Sequence, residues 1–106
     1  MKVTLFYITN DSEHSAHQLG HDAIDQELAA CANIFPIQSI FPWNGVMQNE
    51  NEFVLLLKTI PEMKDRLTDF ISQNHKYEVP CIINFDVEVN EKYGQWIKKC
   101  VSGPKV

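Results

Sequence analysis

The chain has a single arginine, Arg66, and a net charge of −5. A surface for nucleic acid or for an anionic membrane needs clustered Lys and Arg, so both partners are excluded. No apolar run approaches the ~18 residues of a membrane-spanning helix. Cysteine is scarce: Cys31, Cys81 and Cys100 make an odd count without CxxC spacing. That argues against a disulfide framework or a zinc knuckle and suits a reducing cytoplasm. Only four glycines are present, none grouped into a phosphate-cradling loop, and no serine stands in a G-x-S-x-G setting. The opening MKVTLFYIT has one lysine and no small-residue cleavage site, so it reads as a first strand, not a signal peptide. With no repeat, linker or low-complexity segment, residues 1–106 make one domain around one core.

What the chain does have is an unusually long hairpin. Residues 31–59, CANIFPIQSIFPWNGVMQNENEFVLLLKT, centre on Asn44-Gly45, the strongest short hairpin signal because a type I′ turn needs positive φ twice. With Trp43 and Val46 flanking the turn, Phe41 faces Gln48, Ile37 faces Glu52 and Phe35 faces Val54. Arms of about a dozen residues would reach roughly 40 Å, about twice a usual strand. The tip is apolar on both faces, with Phe41, Trp43 and Val46 on one and Ile40, Pro42 and Met47 on the other. A domain this small cannot cover both, so another copy of the chain is expected to do so.

The remaining elements follow from periodicity. Val3 to Thr9 is a β-branched and aromatic strand. Asn10-Asp11-Ser12 offers helix caps, and Ala16, Leu19, Ala23, Ile24 and Leu28 recur at helical spacing up to Ala30. Pro61-Glu62 opens a second helix with a stripe of Met63, Leu67, Phe70 and Ile71. His75 to Pro80 is a loop, Cys81 to Val89 a fourth strand, and Asn90 caps a last helix carrying Tyr93, Trp96 and Ile97, which Ser-Gly-Pro breaks. The order β-α-β-β-α-β plus a tail helix is the α+β, ferredoxin-like plan, two helices on one face of an antiparallel sheet.

Candidate chemistry is sparse. His14, His17 and His21 share one side of the first helix, and His17 and His21, four apart, have metal-chelating spacing. A solvated polar face explains them more simply. His75, Cys31 and Cys81 form a second set, each at the edge of a strand or loop. Imidazole and thiolate favour copper or zinc over magnesium or calcium, although free cysteine usually serves as a small buried hydrophobe. Glu50, Glu52, Glu62 and Glu78 offer carboxylates for acid/base work, and a solvated hairpin face accounts equally for the first two. An acylphosphatase-type enzyme would want an arginine and a glycine in its first loop, which here is Thr9-Asn10-Asp11-Ser12. A hydrolase pairing Glu52 with His75 is the remaining catalytic use, and the balance points away from an enzyme.

One series of motifs has a known counterpart. Leu28-Ala29-Ala30-Cys31-Ala32-Asn33-Ile34, then Ser39-Ile40-Phe41 with Trp43-Asn44-Gly45, resembles the LAACxNI…SxYxWxG signature of the CutA divalent-cation tolerance proteins. Glu52, Leu57-Lys58-Thr59, His75, Tyr77, Pro80 and the closing Tyr93-x-x-Trp96 extend the resemblance from about Val3 to Ile97. It implies a homotrimer of PII-like architecture that binds copper or another divalent cation and is associated with metal tolerance. The metal ligands it suggests are His75, with Cys81 and Cys31. Trp43, Glu52, Tyr77, Pro80, Tyr93 and Trp96 would form the clefts or interfaces. The family's copper-site positions fall on Ile8, Asn74 and His75, so one ligating residue is retained, and Cys81 replaces a usual glutamate. The alternative implied is a PII-like regulatory trimer holding a small molecule or protein partner between subunits.

Overall fold

A computed structural model describes residues 1–101. The elements run β1 (Lys2–Asn10), α1 (Glu13–Asp25), β2 (Cys31–Trp43), β3 (Val46–Thr59), a 3₁₀ turn (Pro61–Met63), α2 (Lys64–Asn74), β4 (Ile82–Glu88) and α3 (Glu91–Cys100). The strands form one antiparallel sheet in the order β2-β3-β1-β4. β3 is thus inserted between β1 and β2, the split crossover of the ferredoxin-like plan.

The turn sets the hairpin. Asn44 and Gly45 have φ of 51° and 77°, as a type I′ turn requires. Pairing then runs unbroken from Trp43↔Val46 through Phe41↔Gln48, Ile37↔Glu52 and Phe35↔Val54 to Cys31↔Lys58. The ribbon carries the molecule to 45 Å on its long axis, with a radius of gyration of 14.4 Å against about 13 Å for a compact domain of this length.

α1 starts where expected, with the Ser12 hydroxyl accepting the Ser15 N–H at 3.0 Å. It does not continue to Ala30. Glu27 takes a left-handed φ of 59°, and the Leu28 and Glu27 N–H groups turn back to the carbonyls of Ala23 and Ile24 at 3.0 and 2.9 Å. This is a Schellman closure with glutamate where glycine is usual. Leu28, Ala29 and Ala30 therefore form a buried loop, held by Thr59 Oγ1 donating to the Leu28 carbonyl at 2.8 Å. Ile24, counted in the apolar stripe, is 38% exposed. The face that does pack is Ala16, Leu19, Gly20 and Ala23. A Cβ on Gly20 would lie 3.0 Å from Leu55 Cδ1 and 3.1 Å from Ala32 Cβ, which shows how closely α1 lies on the hairpin base.

The second helix comes in two pieces, the Pro61–Met63 turn and then α2, with Met63, Leu67 and Ile71 buried and Phe70 only partly so. β4 is one residue shorter at each end than expected, starting at Ile82. Asn90 stands at the start of α3 without a side-chain capping bond. α3 also lies on the far side of the sheet from α1 and α2. Lys58, on the opposite face to Leu57, donates to Tyr93 Oη at 3.4 Å. The Ser102-Gly103-Pro104 break lies outside the described residues.

Alternation along the strands puts Leu5, Tyr7, Phe35, Ile37, Leu56, Ile83 and Phe85 on that second face, beyond the reach of α3. Ile83 and Phe85 are 50% and 44% exposed. A single chain leaves this apolar face open.

Candidate functional site

The register of the hairpin builds one wall of a cleft. Residues of β2 and β3 that pair on the face away from α1 and α2 include Trp43 with Val46, Phe41 with Gln48 and Ile37 with Glu52, and Glu50 lies two residues before Glu52 on the same side. The other wall is the loop between α2 and β4. Pro80 holds its last turn extended, and Tyr77, Glu78, Val79 and Cys81 face the hairpin across a cavity of about 490 Å³. Thr9 and Asp11, from the end of β1, close one side.

A single hydrogen bond ties the two walls together. Tyr77 Oη donates to Glu52 Oε2 at 2.7 Å, the short distance of a charge-assisted bond. Burial, followed by the bond to Glu52 and that carboxylate's charge, pushes the Tyr77 hydroxyl far above its usual value. Tyr77 therefore stays a donor. Glu52 is only 7% exposed, and no Lys, Arg or His among the described residues forms an ion pair with it. No buried side-chain oxygen or nitrogen among the described residues lacks a partner, so the second Glu52 oxygen, which has none, is not fully buried. Asp11, Glu50 and Glu78 add three further carboxylates to a lining without a basic side chain.

Cys81 sits at the same opening. Burial first, then the Glu52 charge, raises its thiol above the ordinary 9.0, and hydrogen bonding to Thr9 only partly offsets this. Such a thiol is protonated at neutral pH, the reverse of an activated nucleophile.

His75 stands beside the cleft but does not face it. Its Nδ1 accepts the Tyr77 N–H at 3.0 Å, so Nε2 carries the proton, which it donates to the Thr9 carbonyl at 2.8 Å. Both ring nitrogens are engaged, and neither bonds Glu52. The imidazole lines a second, smaller cavity of about 310 Å³ between α1 and the end of α2, with Asp11, His14, Asp22 and Lys76. His17 and His21 are exposed on α1 and border neither cavity.

The other proposed site residues lie apart. Cys31 pairs with Lys58 at the base of β2. From Cys81 that is three strand spacings, roughly 14 Å, and four residues along, roughly 13 Å. Tyr93 and Trp96 stack at 5.5 Å beside Lys58, six residues or roughly 20 Å down β3 from Glu52. Ile8 is fully buried and carries no donor atom, and the Asn74 amide donates to the Phe70 carbonyl at 2.8 Å. Trp43, Glu52, Tyr77 and Cys81 are brought together. Glu50 and Glu78, offered by the sequence only as acid/base carboxylates, join them, as do Asp11 and Phe41, which were not foreseen as site residues; the period-two spacing of Phe41 to Trp43 and Glu50 to Glu52 carried the signal for two of the four.

The family model for the CutA1 divalent ion tolerance protein matches residues 4–100. The chain belongs to this family. The divalent-cation tolerance protein CutA of Archaeoglobus fulgidus is 35% identical over 96 residues, 90% of this chain and 94% of its own. The chloroplastic protein CutA of Arabidopsis thaliana is 33% identical over 94 residues, 87% of this chain and 52% of its own. The chain spans about half the length of the curated plant and human relatives that it matches. Among solved family structures, CutA1 from Oryza sativa superposes with a TM-score of 0.91 at 33% identity, covering 96% of this chain and 95% of that one. The periplasmic divalent cation tolerance protein CutA from A. fulgidus gives 0.90 at 33% identity, with 94% and 99% covered. None of the described helices is long and apolar enough to cross a membrane.

Among the described residues, no three His, Cys, Asp or Glu side chains come close enough to hold one ion. The described residues of one chain thus bring at most two such side chains to one point.

Proposed function

We propose that this protein is a non-enzymatic, homotrimeric, cytoplasmic divalent-cation-binding protein that serves metal tolerance, with the clefts completed at the boundaries between subunits. Family membership supports the cation, and the observation that carries the reading is the carboxylate-lined cleft around Glu52 and Cys81, which holds no internal countercharge. The open apolar face of Ile83 and Phe85 supports assembly, since copies packed there would bury it. In this reading Glu52 and Cys81 are the donors of this chain, copper and zinc suit the thiol, and His75 shapes the loop behind them. Calorimetric titration with zinc and copper tests it. Glu52→Gln and Cys81→Ser should each weaken binding about tenfold or more, the loss of one charged contact, and His75→Ala should weaken it less. Stoichiometric binding that neither of the first two variants disturbs would reject these donors.

A second reading, a PII-like trimer holding a small molecule in the same clefts, is favoured by one observation. Phe41, Trp43 and Tyr77 give the cleft aromatic walls, which a bare metal ion does not need.

A further inference from the structure

We propose that the cleft between the hairpin and the loop after α2 binds a linear aliphatic di- or polyamine, an inference that rests on the small-molecule reading and names its ligand class. Three observations combine. First, Glu52 is nearly buried, lines the cavity, is fixed by Tyr77 through one oxygen only, and has no cation of its own chain paired with it among the described residues. A buried carboxylate is stable when paired, so a cationic partner is what the site lacks.

Second, the other acids of the cleft, Asp11, Glu50 and Glu78, are distributed around it and no three donors converge on one point. A compact ion can satisfy one or two of them. A ligand with ammonium groups spaced along a chain can satisfy several at once. Third, beside the acids and the polar Gln48 and Asn51 the lining carries apolar and aromatic side chains, Phe41, Trp43 and Val79. Methylene segments pack on such walls, and an ammonium group over an aromatic face gains a cation–π contact. A strongly hydrated inorganic ion gains nothing from them. The cavity of about 490 Å³ is of small-ligand size.

The same alkylammonium chemistry can come from a free amine or from a lysine of a second copy seated in the cleft. The experiment separates these sources. Spermidine, putrescine and tetramethylammonium are titrated calorimetrically into the full chain, with magnesium chloride at matched ionic strength as the screening control. Spermidine should bind saturably, one per cleft, more tightly than putrescine, and magnesium should not mimic it. Glu52→Gln and Trp43→Ala should each weaken spermidine about tenfold, with melting curves confirming that the variants fold. Glu50→Gln, nearer the rim, should weaken it less and keeps the test open if Glu52→Gln proves unstable. Equal heats from spermidine and magnesium, or full affinity in Glu52→Gln, would overturn the proposal. So would spermidine binding that appears only after dissociation into single chains, because a lysine of the partner then owns the site. Zinc binding with spermidine unbound overturns this inference and leaves the divalent-ion reading standing.

Discussion

The bond between Tyr77 and Glu52 should be the strongest link between the two walls of the cleft, and a double-mutant cycle measures it directly. The perturbations are Tyr77→Phe, Glu52→Gln and both together. At 2.7 Å the phenol donates to a carboxylate, and hydrogen bonds to charged groups contribute about 1.5–3 kcal/mol. The cleft admits water beside the half-buried tyrosine, which argues for the lower half of that range. Tyr77→Phe leaves the nearly buried carboxylate without its one donor and should lose about 2 kcal/mol. Glu52→Gln keeps an acceptor for the phenol and removes one of four neighbouring negative charges, so it should lose less. Urea unfolding at one fixed protomer concentration is the assay, because assembly makes apparent stability concentration-dependent. A coupling energy of about 1.5–2 kcal/mol is expected. A value below about 0.5 kcal/mol, the level at which independent sites simply add, would show that the bond does not hold the loop to the hairpin. The pH dependence has a definite sign. The phenol's folded value lies above its ordinary 10.0, so its share of stability is intact below pH 10 and fades as pH climbs beyond it. Tyr77→Phe should flatten that alkaline loss. Cys81 adds a loss of the same sign above its own 9.0, and a Cys81→Ser background separates the two.

Three further outcomes are expected. Cys81 should react with iodoacetamide more slowly at neutral pH than a free model thiol, and catch up as pH rises past 9, when followed by mass shift at that residue. Gly45→Ala should lose about 1–2 kcal/mol in chemical unfolding, all of it backbone strain at φ 77°, because no atom lies within 4 Å of the added Cβ; Gly45→Asn should lose less. Phe85→Glu, on the open face of the sheet, should shift light scattering from an assembled species to the single chain, and an unchanged mass would refute burial of that face between copies.

Legibility followed the range of the interactions. The hairpin register was readable residue by residue because two turn residues fix it and every pair then counts outward from Asn44-Gly45. The end of α1 was not, because Leu28 continues the helical spacing from Ile24 while the Glu27 backbone has already turned. The reversal rests on Thr59 and Lys58 from another strand holding the Leu28-Ala29-Ala30 loop. The same limit governed the site. Trp43, Glu52, Tyr77 and Cys81 were recognisable from the motif series, but Asp11 and Glu78 arrive from segments that the β1–β3 and β1–β4 pairings bring to the hairpin. Tyr93 and Trp96 were grouped with the cleft or interface residues through the motif series, and within one chain they lie apart from Glu52 by roughly 20 Å along β3.

The place of His75 shows what residue type alone does not convey. A histidine between a helix end and a conspicuous tyrosine suggests a ligand, but the imidazole is engaged at both nitrogens by main-chain groups of Thr9 and Tyr77. Accepting from the Tyr77 N–H orients that residue, and its hydroxyl then reaches Glu52. The histidine thus sets the cleft by way of the backbone, and the carboxylate is the group left facing solvent. A metal ion captured at Nδ1 would have to displace the Tyr77 N–H, freeing the residue that anchors Glu52. Ligation there and an intact cleft oppose one another, so whatever cation the cleft takes should meet Glu52 first.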